Sequence, residues 1–247
     1  MHPALPHVAH RPWPLPSGPW IMQQTWNDLL FAHWPVPQEQ LRALVPLQLP
    51  LDTYDGKCWV AVAPFYMSGI RGRLMPPIPG VSALPELNVR TYVTYGGKGG
   101  VFFFSLDAAS RLAVWGARTF YRLPYYFARM DVKTSEGWIQ YSSSRTGTAA
   151  EFRGRYRPTK PVVLRRPGSL EHWLTERYCL YTVSGGTVYR AEIHHPQWPL
   201  QDAEAEIQSN SMAAAAGIEL PPVEPLLHFS KKLDVLIWPL KSIDNQL

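Results

Sequence analysis

The sequence contains only two cysteines, Cys58 and Cys179, and they lie far apart in the chain. No CxxC pair occurs, so the spacing supports neither a zinc site nor a dithiol redox motif. A single long-range disulfide is one interpretation, but two free, buried thiols are the usual state in a reducing cytoplasm. We therefore expect a cytoplasmic protein with unpaired cysteines.

Long apolar runs and a strong charge excess are also missing. No run of about 18 apolar residues occurs, which argues against a membrane partner. Charged residues make up 17% of the chain and the net charge is +5. The densest arginine group, at 153–157, is too small to form the basic stripe of a nucleic-acid binder. We therefore expect neither a membrane nor a nucleic acid as a partner. The sequence does not decide whether the chain forms a homo-oligomer.

The N-terminal segment has none of the features of a secretion signal. Residues 1–20 contain six prolines and three histidines and lack an apolar core. We expect residues 1–20 to form an irregular arm that is ordered only if it wraps the body. Since no low-complexity linker interrupts the rest, residues 21–247 are predicted to form a single domain.

Aromatic residues are abundant, at 13% of the chain with 10 Trp and 12 Tyr. Together with short apolar segments joined by turns such as "GGKGG" and "TSEG", they favour antiparallel strands and buried pockets. The predicted fold class is α+β, mainly antiparallel β, with a few short helices. These are expected over 37–45, over 108–118 with Asp107 as the cap, near 169–177, and over the alanine run at 209–217.

Cofactor motifs are missing as well, and we expect no cofactor and no metal. No GxGxxG occurs, and a strand rather than a helix follows "GGKGG", so it is not a phosphate-binding loop. No HxH or HExxH spacing supports a metal, and His194 and His195 should point to opposite sides of a strand. No GxSxG motif marks a serine nucleophile.

One predicted strand, "ELNVRTYVTY", carries the clearest candidate site. Glu86, Asn88 and Arg90 alternate with apolar residues, so all three side chains share one face. Arg90 could bind a carboxylate and Glu86 could move a proton. Alternatively, this face meets solvent and its charges pair across neighbouring strands.

Several sequence blocks resemble a known family. They are "LLFAHWPVP", "LDTYDGKCWVAVAPFYM", "ELNVRTYV", "FFFSLDA" and "ARTFYRLPYYFARM". They resemble the uncharacterised bacterial family called domain of unknown function 2071, from about Gln23 to Trp238. The resemblance implies the acetoacetate-decarboxylase-like fold, a closed antiparallel barrel or cone around an internal pocket.

A more distant similarity to acetoacetate decarboxylase itself is informative. That enzyme has an arginine, a proline and then two adjacent lysines, one of which forms a Schiff base. On this chain the arginine resembles Arg118, the lysine pair falls on Tyr125 and Tyr126, and a pocket glutamate falls near Glu86. A phenol cannot form an imine with a ketone, so the resemblance implies that the Schiff-base mechanism is absent.

Three hypotheses follow for the function. In the first, the chain is an enzyme on a small oxo-acid that uses Glu86 as acid and base; in the second, it is a binding protein for an unknown small polar or acidic molecule. In both, Asn88, Arg90, Arg118, Tyr125 and Tyr126 are the candidate ligand-binding residues. In the third, the chain is a structural or oligomerising protein, and Glu86, Asn88 and Arg90 face solvent.

Overall fold

A computed structural model describes residues 2–243 of the chain. The described part is dominated by strands, with three short α-helices. The helices are α1 (Gln38–Arg42), α2 (Arg111–Tyr121) and α3 (Leu170–Thr175). The strands are β1 (Met22–Val36), β2 (Cys58–Gly72), β3 (Leu84–Tyr95), β4 (Lys98–Ala108), β5 (Tyr125–Ser135), β6 (Trp138–Arg145), β7 (Glu151–Pro158), β8 (Cys179–Ser184), β9 (Thr187–His194), β10 (Gln201–Asn210), β11 (Leu226–Ile237) and β12 (Lys241–Ser242).

The strands form one sheet that closes on itself twice. Their order is β12-β9-β8-β4-β3-β2-β1-β11-β10-β7-β6-β5. Parallel pairing of β4 with β5 closes a nine-stranded mixed barrel, whose members run from β4 through β11 to β5. Pairing of β9 with β11 closes a second, smaller ring on the other side. The two rings share strands β4, β3, β2, β1 and β11, and so each shared strand is covered on both faces.

Side chains alternate along the shared strands, so successive residues point into different rings. On β3, Leu87 and Val89 point into the nine-stranded barrel and pack in its aromatic core. Glu86, Asn88 and Arg90 point the opposite way, into the smaller ring, and all three are buried. The prediction that these three share a face is confirmed, and the alternative in which that face meets solvent is wrong.

A β-bulge in β4 changes which of its side chains face the smaller ring. Val89 pairs with Ser105 but Arg90 pairs with Phe103, so Phe104 is the extra residue. A single inserted residue reverses the side-chain alternation along a strand. Leu106 and Phe103 are three positions apart, which would put them on opposite faces of a regular strand. Because of the bulge, both side chains line the smaller ring.

The helix predicted over 108–118 is present, but its predicted start and its Asp107 cap are wrong. Strand β4 runs through Ala108, because that residue pairs with Glu86 on one side and with Phe127 on the other. Helix α2 begins three residues later, where the Ser110 hydroxyl accepts from the Ala113 backbone N–H at 3.3 Å.

Two further differences concern the C-terminal half. The alanine run forms only a 3-10 turn at Ala214–Ala216, which ends at Gly217 in the left-handed region. Strand β10 was not predicted, although its small residues Ala203 and Ala205 alternate with Glu204 and Glu206 in the manner of a half-buried strand. Both cysteines are free and buried, as expected.

Candidate functional site

The smaller ring encloses a cavity of about 310 Å³. Helix α2 lies along it and contributes side chains to its wall. Most of the wall is apolar, including Trp26, Phe65, Met67, Leu84, Leu106 and Leu112. The volume is near the lower end of the range of ligand pockets, roughly 300–1,000 Å³.

Glu86 and Tyr125 form a buried hydrogen-bonded pair on the cavity wall. The Tyr125 hydroxyl donates to Glu86 Oε2 at 2.6 Å, and Asn88 donates to the same carboxylate. Burial raises the pKa of Glu86 to about 7, against the opposing effect of these two hydrogen bonds. Burial also raises the pKa of Tyr125 well above its ordinary value. Near neutral pH, Glu86 can therefore exchange a proton while Tyr125 remains a donor.

Two arginines add positive charge to the cavity wall. Arg90 lies four residues beyond Glu86 on β3, a Cα separation of about 13 Å in an extended strand. Its guanidinium stacks on Phe31 at 5.1 Å. The Arg177 guanidinium donates to Asp52 and, through Nε, to the Trp173 carbonyl oxygen at 2.6 Å. Both arginines are more than nine-tenths buried.

Each arginine retains an N–H without a partner. Within residues 2–243, neither Arg90 Nε nor Arg177 Nη2 has a hydrogen-bond acceptor. Leaving a buried donor unsatisfied costs roughly 1–3 kcal/mol, and more for a charged group. The residues of the cavity wall therefore include two charged donors that no described residue satisfies.

Sequence reasoning missed Arg177, His195 and Trp198, which also line the cavity. Burial lowers the pKa of His195 to about 3, so its imidazole is neutral at physiological pH. Trp198 is buried, and its indole N–H has no partner among the described residues. These residues lie outside any motif, and the pairings of β8 with β4 and of β9 with β11 bring them to the cavity.

Tyr126 and Arg118, both predicted to bind ligand, are not on the cavity wall. Tyr126 packs under the Arg145 guanidinium, 4.1 Å from the ring centroid, and Arg145 pairs with the buried Asp107 at 2.8 Å. Arg118 donates through Nε to the Tyr125 carbonyl oxygen at 2.6 Å. Of the two adjacent tyrosines, Tyr125 is the one that faces the cavity.

The N-terminal arm packs behind this wall. His10 Nε2 donates to the carbonyl oxygen of His195 at 2.8 Å, and Arg11 Nη1 donates to that of Ile193 at 2.8 Å. His194 points the other way from His195 and bonds through Nε2 to the Ala4 carbonyl oxygen. The arm thus hydrogen-bonds to the backbone of Ile193 and His195, whose side chains line the cavity.

Residues 2–243 show no cluster of three or more side chains suited to hold a metal ion. Across the same residues, no helix has the length and apolar character needed to cross a membrane. No lysine from the described chain lines the cavity.

The chain is similar to uncharacterised proteins in sequence. Residues 23–234 match the family domain of unknown function 2071, described as an uncharacterized conserved protein. The uncharacterized protein YqjF of Bacillus subtilis is 54% identical over 229 residues, which cover 92% of this chain and 95% of that protein.

Solved structures share the fold at low sequence identity. Acetoacetate decarboxylase from Legionella pneumophila has a TM-score of 0.66 and 12% identity, covering 98% of this chain and 96% of that one. The enduracididine biosynthesis enzyme MppR, in complex with pyruvate, has a TM-score of 0.63 and 10% identity, covering 96% and 95%. These likenesses confirm the predicted acetoacetate-decarboxylase-like fold.

Proposed function

The chain belongs to the family domain of unknown function 2071, with an acetoacetate-decarboxylase-like barrel, and we propose that it binds a small carboxylic acid in the cavity of the smaller ring. The observation that carries this proposal is the pair of buried arginines, Arg90 and Arg177, in a mostly apolar cavity wall, each with an N–H that has no acceptor among the described residues.

Charge balance favours an anionic ligand. Asp52 neutralises Arg177, but Arg90 has no carboxylate within 4.0 Å among residues 2–243. A buried charge without a partner is costly, and a guanidinium matches a carboxylate in planar hydrogen-bonding geometry. A ligand carboxylate between the two arginines would satisfy Arg90 Nε and Arg177 Nη2 together.

Binding in this proposal does not involve an imine. Tyr125 occupies the wall next to Glu86, and the described lining contains no amine. A tyrosine hydroxyl can donate a hydrogen bond to a ligand carbonyl but cannot condense with it. MppR, with a similar fold, is complexed with pyruvate, a small carboxylate of the class we propose here.

Turnover of the bound acid is a second candidate function, and the state of Glu86 favours it. A carboxyl group with a pKa of about 7 can both accept and return a proton at neutral pH. Tyr125, which donates to Glu86 Oε2 at 2.6 Å, would hold that carboxyl group in place. The reaction class would be proton transfer next to the carbonyl of an oxo-acid.

The binding proposal is tested by calorimetry with Arg90→Met. The panel contains pyruvate, butyrate and octanoate, each paired with its primary amide, which keeps the shape and removes the charge. We expect at least one acid to bind, its amide to bind at least tenfold more weakly, and Arg90→Met to lose the acid. Arg129→Met, which removes an exposed arginine of β5, is the control.

Failure of every acid to bind would contradict the proposal, and so would equal binding of acid and amide. Turnover is tested separately, by comparing product formation from oxo-acids in the wild type and in Glu86→Gln. We expect the variant to form no product while it still binds the acids. Borohydride treatment with pyruvate should leave the mass of the protein unchanged. A covalent adduct would show that an imine does form.

A further inference from the structure

Helix α2 carries a glycine at the point where the cavity reaches the surface. Leu112 and Phe120 both line the cavity and are 55% and 66% exposed. Gly116 lies midway between them, and the spacing of four residues puts all three on one stripe of the helix. Two large apolar side chains thus flank a gap in the wall.

No local constraint requires glycine at this position. The φ angle of Gly116 is not positive, and a Cβ built on it would meet no atom within 4 Å. Glycine in the middle of a helix nevertheless destabilises it by roughly 0.5–1 kcal/mol relative to alanine. The space next to Gly116 is the cavity itself, so the glycine widens its opening.

The deep end and the opening therefore differ in chemistry. The buried end of the cavity is lined by Arg90 and Arg177, both over nine-tenths buried, and each has an N–H without an acceptor among residues 2–243. Between them and α2 the wall is largely apolar, with Trp26, Phe65 and Leu106 among its members. Such a wall contributes binding energy to a hydrocarbon chain and little to the polar body of a short oxo-acid.

We propose that the ligand is an amphipathic monocarboxylic acid, with its carboxylate at Arg90 and Arg177 and its apolar chain leaving the cavity past Gly116. This inference rests on the proposed carboxylate site and adds the ligand class and the residue that selects it. Gly116 is then a specificity-determining position, because any larger side chain would enter the path of the chain.

Straight-chain acids from acetate to decanoate, titrated by calorimetry below their micelle-forming concentrations, provide the test. Burying one methylene is worth about 0.8 kcal/mol, so affinity should rise about fourfold for each added methylene. In Gly116→Leu, we expect octanoate and decanoate to lose at least tenfold in affinity and butyrate to bind as before. The substitution removes a helix-interior glycine without meeting a neighbour, so folding should be kept.

Thr119→Leu is the matched control, because it adds the same side chain to α2 at an exposed position off the cavity wall. It should leave every affinity unchanged. If acids of all lengths bind equally and Gly116→Leu has no effect, this inference is overturned and the carboxylate site stands. If no acid binds, the carboxylate site fails as well. A chain-length dependence that persists in Arg90→Met would mean non-specific adsorption and would also overturn the inference.

Discussion

The buried carboxyl group of Glu86 makes the stability of the protein depend on pH in a predictable direction. Its folded pKa is about 7, against an ordinary value of 4.5, and burial is the main cause. The folded state thus binds this proton more tightly than the unfolded chain does. The contribution of the Glu86 proton to the free energy of unfolding is therefore fully present below about pH 4.5 and is lost as pH rises through about 7. The difference between these two pKa values corresponds to roughly 3–4 kcal/mol.

Glu86→Gln should remove this dependence. The glutamine oxygen can still accept from Tyr125, and a rotated Asn88 amide can accept from its nitrogen, since Asn88 Oδ1 has no partner among residues 2–243. The free energy of unfolding of the wild type, minus that of the variant, should fall by roughly 2–3 kcal/mol between pH 5 and pH 8.

Urea unfolding at several pH values across that range measures this difference. Glu224→Gln, at an exposed glutamate, is the control and should follow the wild type at every pH. A difference that stays constant within about 0.5 kcal/mol would show that Glu86 titrates normally. The acid–base role proposed for it would then have no basis.

Two further predictions concern the elements that hold the site. Asp107→Asn should lower the free energy of unfolding by roughly 3 kcal/mol or more, because it leaves the buried Arg145 charge without its partner; an unchanged urea midpoint would contradict this. Ser110→Ala should cost about 1 kcal/mol by removing the cap of α2, which a Tm lower by about 3 °C would report. No change in Tm would mean that the hydroxyl does not cap the helix.

The polar face of β3 could be predicted because it depends on local spacing alone. Glu86, Asn88 and Arg90 alternate with apolar residues, and a strand converts that alternation into two faces. Which face is inside depends on the second closure of the sheet, through β9 and β11. That pairing joins segments more than 30 residues apart and has no local signature.

Contacts between distant segments also explain why the sequence does not indicate Arg177 and why Arg118 is a wrong candidate for the cavity wall. Arg177 follows α3 outside any motif, and its place at the cavity results from parallel pairing of β8 with β4. Arg118 is a candidate through the resemblance to acetoacetate decarboxylase alone, whereas on α2, which begins at Arg111, its side chain donates to the Tyr125 carbonyl oxygen and does not line the cavity. The start of α2 was misplaced because Asp107, a good cap by type, pairs with the distant Arg145 instead.

A crystal structure with octanoate bound tests the central claim most directly. The account predicts carboxylate oxygens within hydrogen-bond distance of Arg90 Nε and Arg177 Nη2, with the chain directed along the apolar wall to Gly116. Octanoate bound elsewhere, or with its carboxylate at the surface and its chain pointing toward the arginines, would contradict it.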